Sequence, residues 1–99
     1  MKTKHLIITL CFSSIFITNA QAEGDSVAGK EKVSACVSCH GADGKGNIPL
    51  LGKSEDYLAQ KLRDYKTRKL KNVMMNMIAK KLSDTDISEL AAYYSQKSE

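Results

Sequence analysis

The clearest periodicity in the chain lies near its C-terminal end, where Ile87, Leu90, Ala91 and Tyr94 recur at three- and four-residue spacings. Ser83-Asp84-Thr85-Asp86 precedes them, a capping hydroxyl with an acid three residues on, so a helix is predicted from Ser83 to about Gln96. Tyr93 sits beside this stripe. A second stripe, Leu58, Leu62 and Tyr65 with Tyr57 at its edge, follows Ser54-Glu55-Asp56, again a capping hydroxyl with acids in the first turn. A less regular segment starts at Asp25 or Ser26 and runs through Val27, Ala28, Lys30, Glu31 and Val33 into Cys36. It is predicted to be one helix, packed against the last. Between these elements, Gly41 to Gly52 is dominated by turn residues, and Val73 to Ile78 is an apolar segment with three methionines. No stretch alternates as a strand would, so the predicted fold class is all-α, with three to four helices.

The first 22 residues read differently. Lys2 and Lys4 give a positive end, Leu6 to Ile17 is an apolar-leaning run too short to span a bilayer, and Ala20-Gln21-Ala22 fits a small-x-small cleavage site. The expectation is a cleaved secretory signal at 1–22 and a single domain at 23–99, exported to the periplasm, with no membrane span after cleavage. Cys11 and His5 leave with the signal. Removing Lys2 and Lys4 from the 15 basic residues leaves 13 against 11 acidic ones, so the basic balance of the full sequence is weak evidence for a polyanion partner, and nucleic acid is not expected. A domain of that size buries little surface and commonly needs a staple.

The chemistry lies in Cys36-Val37-Ser38-Cys39-His40. C-x-x-C-H reads as a c-type haem attachment site. Residues three and four apart share a helix face, so two thiols can add to the vinyl groups of one porphyrin while the adjacent imidazole takes an axial position on iron. A thioredoxin-like pair needs a βαβ setting that is missing. Structural zinc needs four ligands, and only two cysteines and one histidine remain after export. A disulfide between Cys36 and Cys39 would close too small a loop to stabilise much. One covalently attached haem c is the expected cofactor and the expected staple.

Metal-bound histidines normally donate their second ring N–H, and a carbonyl in the glycine-rich loop, that of Pro49 among the candidates, is placed to receive it. With His5 gone, a thioether is the leading sixth ligand, and spacing alone leaves Met74, Met75 and Met77 open. Lys61, Arg63, Lys66, Arg68, Lys69 and Lys71 make a basic run. Such a run is ordinarily a solvated face. Its functional reading is a docking patch, with Lys61, Lys66, Arg68, Lys69 and Lys71 steering an acidic redox partner.

Taken together, C-x-x-C-H-G-x-D-G, then Tyr57-Leu58 with Gln60 and Leu62, then a methionine-rich segment before Leu82-Ser83-Asp84-x-Asp86-Ile87-x-x-Leu90-Ala91-x-Tyr93, resembles the class I cytochromes c, and the small soluble bacterial members most. The resemblance implies a helical fold wrapped around one haem, His/Met ligation and one-electron transfer in the periplasm. In those relatives the ligand methionine lies eight residues before the serine that caps the last helix. This implies His40 and Met75 as axial ligands, with Met74 next in line. The chain is then expected to be a monomeric carrier rather than an enzyme, working between donor and acceptor redox proteins. The alternatives are a haem subunit of a larger dehydrogenase or oxidase, or an open-iron sensor or peroxidase.

Overall fold

The computed structural model describes residues 24–97. The signal segment expected at 1–22 lies outside the described residues. Five α-helices follow in order: α1 Ser26–Glu31, α2 Val37–His40, α3 Glu55–Lys66, α4 Val73–Lys80 and α5 Asp84–Ser95, with a 3₁₀ turn at Val33–Ala35 between α1 and α2. No strand occurs among the described residues. The all-α expectation holds; the helix number exceeds three to four because the first segment divides and the methionine run forms its own helix.

That division has a packing reason. In a 3₁₀ turn, residues i and i+3 eclipse. The turn therefore puts Val33 and Cys36 on one side, where Val33 is buried and Cys36 packs against the core. A continuous α-helix would leave the two about 60° apart, still on one face, so the turn sharpens their alignment on the core.

α5 is the central element. Its start is a capping box: the Asp86 N–H donates to Ser83 Oγ at 3.0 Å and the Ser83 N–H donates to Asp86 Oδ2 at 2.9 Å. The predicted stripe is buried, Ile87 fully, but so are Ala92 and Tyr93. One stripe is too little because α5 is covered on two sides, by α1 and by α3. α1 can approach closely because Gly29 faces α5; a Cβ there would lie 2.1 Å from the Glu89 carbonyl oxygen. Lys32 ties the end of α1 to α5, with its Nζ 2.6 Å from Asp86 Oδ1 and 2.5 Å from Glu89 Oε2. On the other side Leu58 and Ala59 of α3 complete the core with Leu90, Ala91 and Tyr94. Fully burying a leucine or isoleucine contributes about 1.5–3 kcal/mol. With Ile87 and Leu90 the largest side chains buried to that degree, this core alone is modest.

Candidate haem site

Two walls face one cavity. The first carries the pentapeptide. Cys36 caps α2, and the His40 N–H donates to the Cys36 carbonyl at 2.9 Å, which puts the cysteines and the imidazole on one short turn. The glycine-rich loop then folds back on them: the Gly46 N–H donates to the His40 carbonyl and the Ile48 N–H to the Cys39 carbonyl, each at 2.9 Å. Only glycine fits at 46, because a Cβ would stand 2.5 Å from the Cys39 oxygen. The loop delivers the carbonyl of Ile48 to within 2.7 Å of His40 Nδ1. A carbonyl only accepts, so Nδ1 carries the proton and Nε2 keeps its lone pair for a metal. The acceptor is Ile48 rather than Pro49; Pro49, one residue on, lines the cavity instead. Tyr94 anchors the same loop from α5, its hydroxyl donating to the Gly41 carbonyl at 2.8 Å, and the Tyr93 hydroxyl donates to the carbonyl of Ala42. Burial pushes the Tyr94 phenol well above its usual range, so it stays a donor. Burial likewise raises the Cys36 thiol, which is half-buried, whereas Cys39 is exposed; neither is in a disulfide.

The second wall is α4, and it is set by two asparagines. Asn72 caps the helix, its Oδ1 accepting from the Met75 N–H at 3.0 Å, and the Asn72 N–H donates to Asn76 Oδ1 at 2.9 Å. Asn76 Nδ2 donates to the carbonyls of Tyr65 at 2.7 Å and Leu70 at 2.8 Å. α4 is thereby fixed to the end of α3. Met75 is partly buried and lines the cavity; Met74 also lines it but is 61% exposed, and Met77 is 58% exposed and does not reach it. The sequence reading overlooked these asparagines, although Asn72 directly before an apolar run is an ordinary cap signal. It also overlooked the tyrosine hydroxyls, which no periodicity reports.

The cavity between the walls measures about 510 Å³ and is lined by Cys36, Cys39 and His40, by Met74 and Met75, and by apolar side chains such as Leu58, Leu62 and Ile78. The basic run does not form one free face. Lys66 is partly buried and its Nζ donates to the Leu82 carbonyl at 2.5 Å, so it is a structural strut rather than a docking cation. Lys61 turns to the cavity, while Arg68, Lys69 and Lys71 are exposed.

A helical shell with both cysteines and the histidine of C-x-x-C-H on the wall of one apolar cavity defines a class: proteins built around a covalently held haem. Comparison with known proteins agrees. The profile described as "Cytochrome C oxidase, cbb3-type, subunit III" matches residues 19–93. Cytochrome c-554(548) of Halomonas halodenitrificans is 41% identical over 81 residues, covering 75% of this chain and 98% of the relative. Cytochrome c4 of Pseudomonas aeruginosa is 35% identical over 96 residues, covering 93% of this chain and 46% of the relative. The crystal structure of reduced recombinant cytochrome c4 from Pseudomonas stutzeri superposes with a TM-score of 0.69 at 36% identity, covering 75% of this chain and 46% of that one. The chain thus spans about half the length of these cytochromes c4. The chain belongs to the class I cytochrome c family, electron-transfer proteins whose cofactor is covalently bound haem c.

The residues present fit that group. The volume is within the roughly 300–1,000 Å³ of cavities that take small ligands and cofactors. Two sulfurs, an imidazole with its metal-binding nitrogen free and a cluster of thioethers supply the donor set of a c-type haem.

Proposed function

We propose that this chain is a single-haem, one-electron carrier of the periplasm, exported through a cleaved signal at 1–22 and working as residues 23–99, with His40 and Met75 as the axial ligands. The observation that carries the reading is the pairing of a histidine whose Nδ1 is committed to Ile48 with a cavity that the partly buried Met75 also lines. The export signal rests on the pattern of the first 22 residues.

When bound, haem supplies an iron that exchanges one electron between Fe(II) and Fe(III). The chain's own part is positional. Ile48 holds the His40 ring in one tautomer and orientation, and a carbonyl on Nδ1 also raises the basicity of Nε2. Asn72 and Asn76 hold α4, and with it Met75 at the cavity. Leu58, Leu62 and Ile78 exclude water and raise the reduction potential, as does a thioether ligand. With His40 and Met75 both holding the haem iron, no position would be left for a substrate, and the chain would act as a carrier. Redox partners dock on the exposed side of the methionine wall, where Val73, Met74 and Met77 form an apolar patch beside Arg68, Lys69 and Lys71. An apolar centre with a charged rim suits the small, brief interfaces of electron-transfer encounters, here with an acidic partner.

Met75→Ala tests the ligation. The variant should lose its six-coordinate spectrum and bind carbon monoxide promptly when reduced, while Met77→Ala keeps both wild-type properties. A Met75→Ala protein with unchanged spectrum and potential would move the ligand elsewhere, first to Met74.

A further inference from the structure

One group of residues on the cavity wall is not used by the ligation. Among the described residues, two lysines line the cavity, Lys53 and Lys61, and no aspartate or glutamate does. Both ammonium groups lie over the ring of Tyr57, at 5.2 Å and 5.3 Å from its centroid. Tyr57 lines the cavity and is 45% exposed, so the cluster stands at the mouth, while the wall beyond it is apolar. The placement is built in. Tyr57 and Lys61 are one turn apart on the same face of α3, and Lys53 stands just before the capping Ser54.

Two of the three nearby acids are engaged elsewhere, and the third, the exposed Asp56, does not line the cavity. Glu55 Oε1 accepts from the Gly24 N–H at 2.9 Å, and Asp64 Oδ1 accepts from Gln60 Nε2 at 2.8 Å. The salt bridges found among the described residues both belong to Lys32. Two cations gathered on one ring repel each other, and a cation–π contact at an exposed site is weak. The arrangement is complete once an anion joins it.

Resting on the haem reading above, we propose that Lys53 and Lys61, gathered on Tyr57, are the anchor for the two haem propionates. The propionates are the charged groups of an otherwise apolar disc, and this is the cationic stretch of an otherwise apolar wall. The pair thus fixes which edge of the haem meets the mouth of the cavity and cancels the negative field of the carboxylates at the iron. Cancelling that field favours Fe(III) less and Fe(II) more, so the lysines raise the reduction potential.

The test uses haem-loaded Lys53→Gln, Lys61→Gln and the double variant, with Arg63→Gln as control. Arg63 is an exposed cation on the same helix that does not line the cavity. Each lysine variant should lower the reduction potential, the double variant most, and the loss should persist at high salt. The pH at which propionate protonation bends the potential profile should rise by about one unit or more in the double variant, because a nearby cation depresses a carboxylate by roughly 1–3 units. The other titratable side chains on the wall are His40, Cys36, Cys39 and three tyrosines, none of them a carboxylate, so that bend belongs to the propionates. If the lysine variants shift potential and pH profile no more than Arg63→Gln, the anchor is elsewhere although the haem reading stands. If wild-type protein carries no covalent haem by mass, both fall.

Discussion

The two walls of the haem cavity are made in different ways. The histidine wall is held mainly by backbone, with the Tyr93 and Tyr94 hydroxyls anchoring its loop from α5. Gly46 and Ile48 donate to the carbonyls of His40 and Cys39, and a third backbone group, the Ile48 carbonyl, orients the ligand itself. The methionine wall is held by side chains: Asn72 caps α4, Asn76 accepts from the Asn72 N–H, and Asn76 also reaches across to the Tyr65 and Leu70 carbonyls. A wall of backbone bonds around a short cysteine-bearing turn is insensitive to most substitutions outside its glycines and the two tyrosines that anchor it. A wall hung on two amide side chains can be released by one. The difference predicts where the protein yields first: the thioether side, with the histidine side following only when the fold goes.

The largest effect tests whether either wall stands alone. In Cys36→Ala/Cys39→Ala, attachment is lost and the cavity has no disc to fill it. Leu62 and Ile78 line that cavity and the remaining core is small, so the haem-free chain should show little helical circular dichroism and no cooperative melting. A helical, cooperatively melting apo form would mean that α3, α4 and α5 hold without the cofactor. Next in size is Asn76→Ala. It deprives two carbonyls and one N–H of their partners, costing about 1–3 kcal/mol. In denaturant, the variant should lose methionine ligation, read from the visible spectrum, well before helix content falls. If ligation and helix are lost together, as one transition, the two walls are a single unit and the contrast drawn here is wrong.

What could be read from the sequence follows the same division. Cys36, Cys39 and His40 were legible because their chemistry demands a fixed local spacing, and α3 and α5 because capping residues stand directly before periodic stripes. The Ile48 carbonyl was out of reach at residue level, since every residue in the loop offers a carbonyl and only its path selects one. The split of the first helix is not legible in the sequence, because Val33 and Cys36 share a side in an unbroken helix as well and no local signal marks the tighter turn between them. Lys66 shows the limit of charge counting. A lysine within a basic run looks like surface, yet an aliphatic stem can carry its ammonium group to a carbonyl on another element, here that of Leu82.

The smallest effect concerns how the histidine side is braced from behind. Asp86 serves both the α5 capping box and the link to Lys32 at the end of α1, and no ion pair among the described residues spans α3 and α4. The Lys32 ammonium, with help from the Ser83 backbone and hydroxyl, holds the Asp86 carboxyl down at about 2 against its ordinary 3.8, while Asp86 and then Glu89 push Lys32 up to about 12 from 10.5. A carboxyl that binds its proton less readily when folded stabilises the fold above its unfolded value of 3.8, and that contribution fades as pH falls toward about 2. For Lys32 the sign reverses: its contribution is present below 10.5 and is lost as pH rises through about 12. Both groups are exposed enough for salt to screen them, so the effect is small. In urea titrations, the stability gap between wild type and Asp86→Asn should therefore narrow between pH 3.8 and 2, and narrow again in concentrated salt. A gap that narrows with falling pH but is unmoved by salt would assign Asp86 to capping alone, and the α1–α5 brace would then depend on the Gly29 packing rather than on charge.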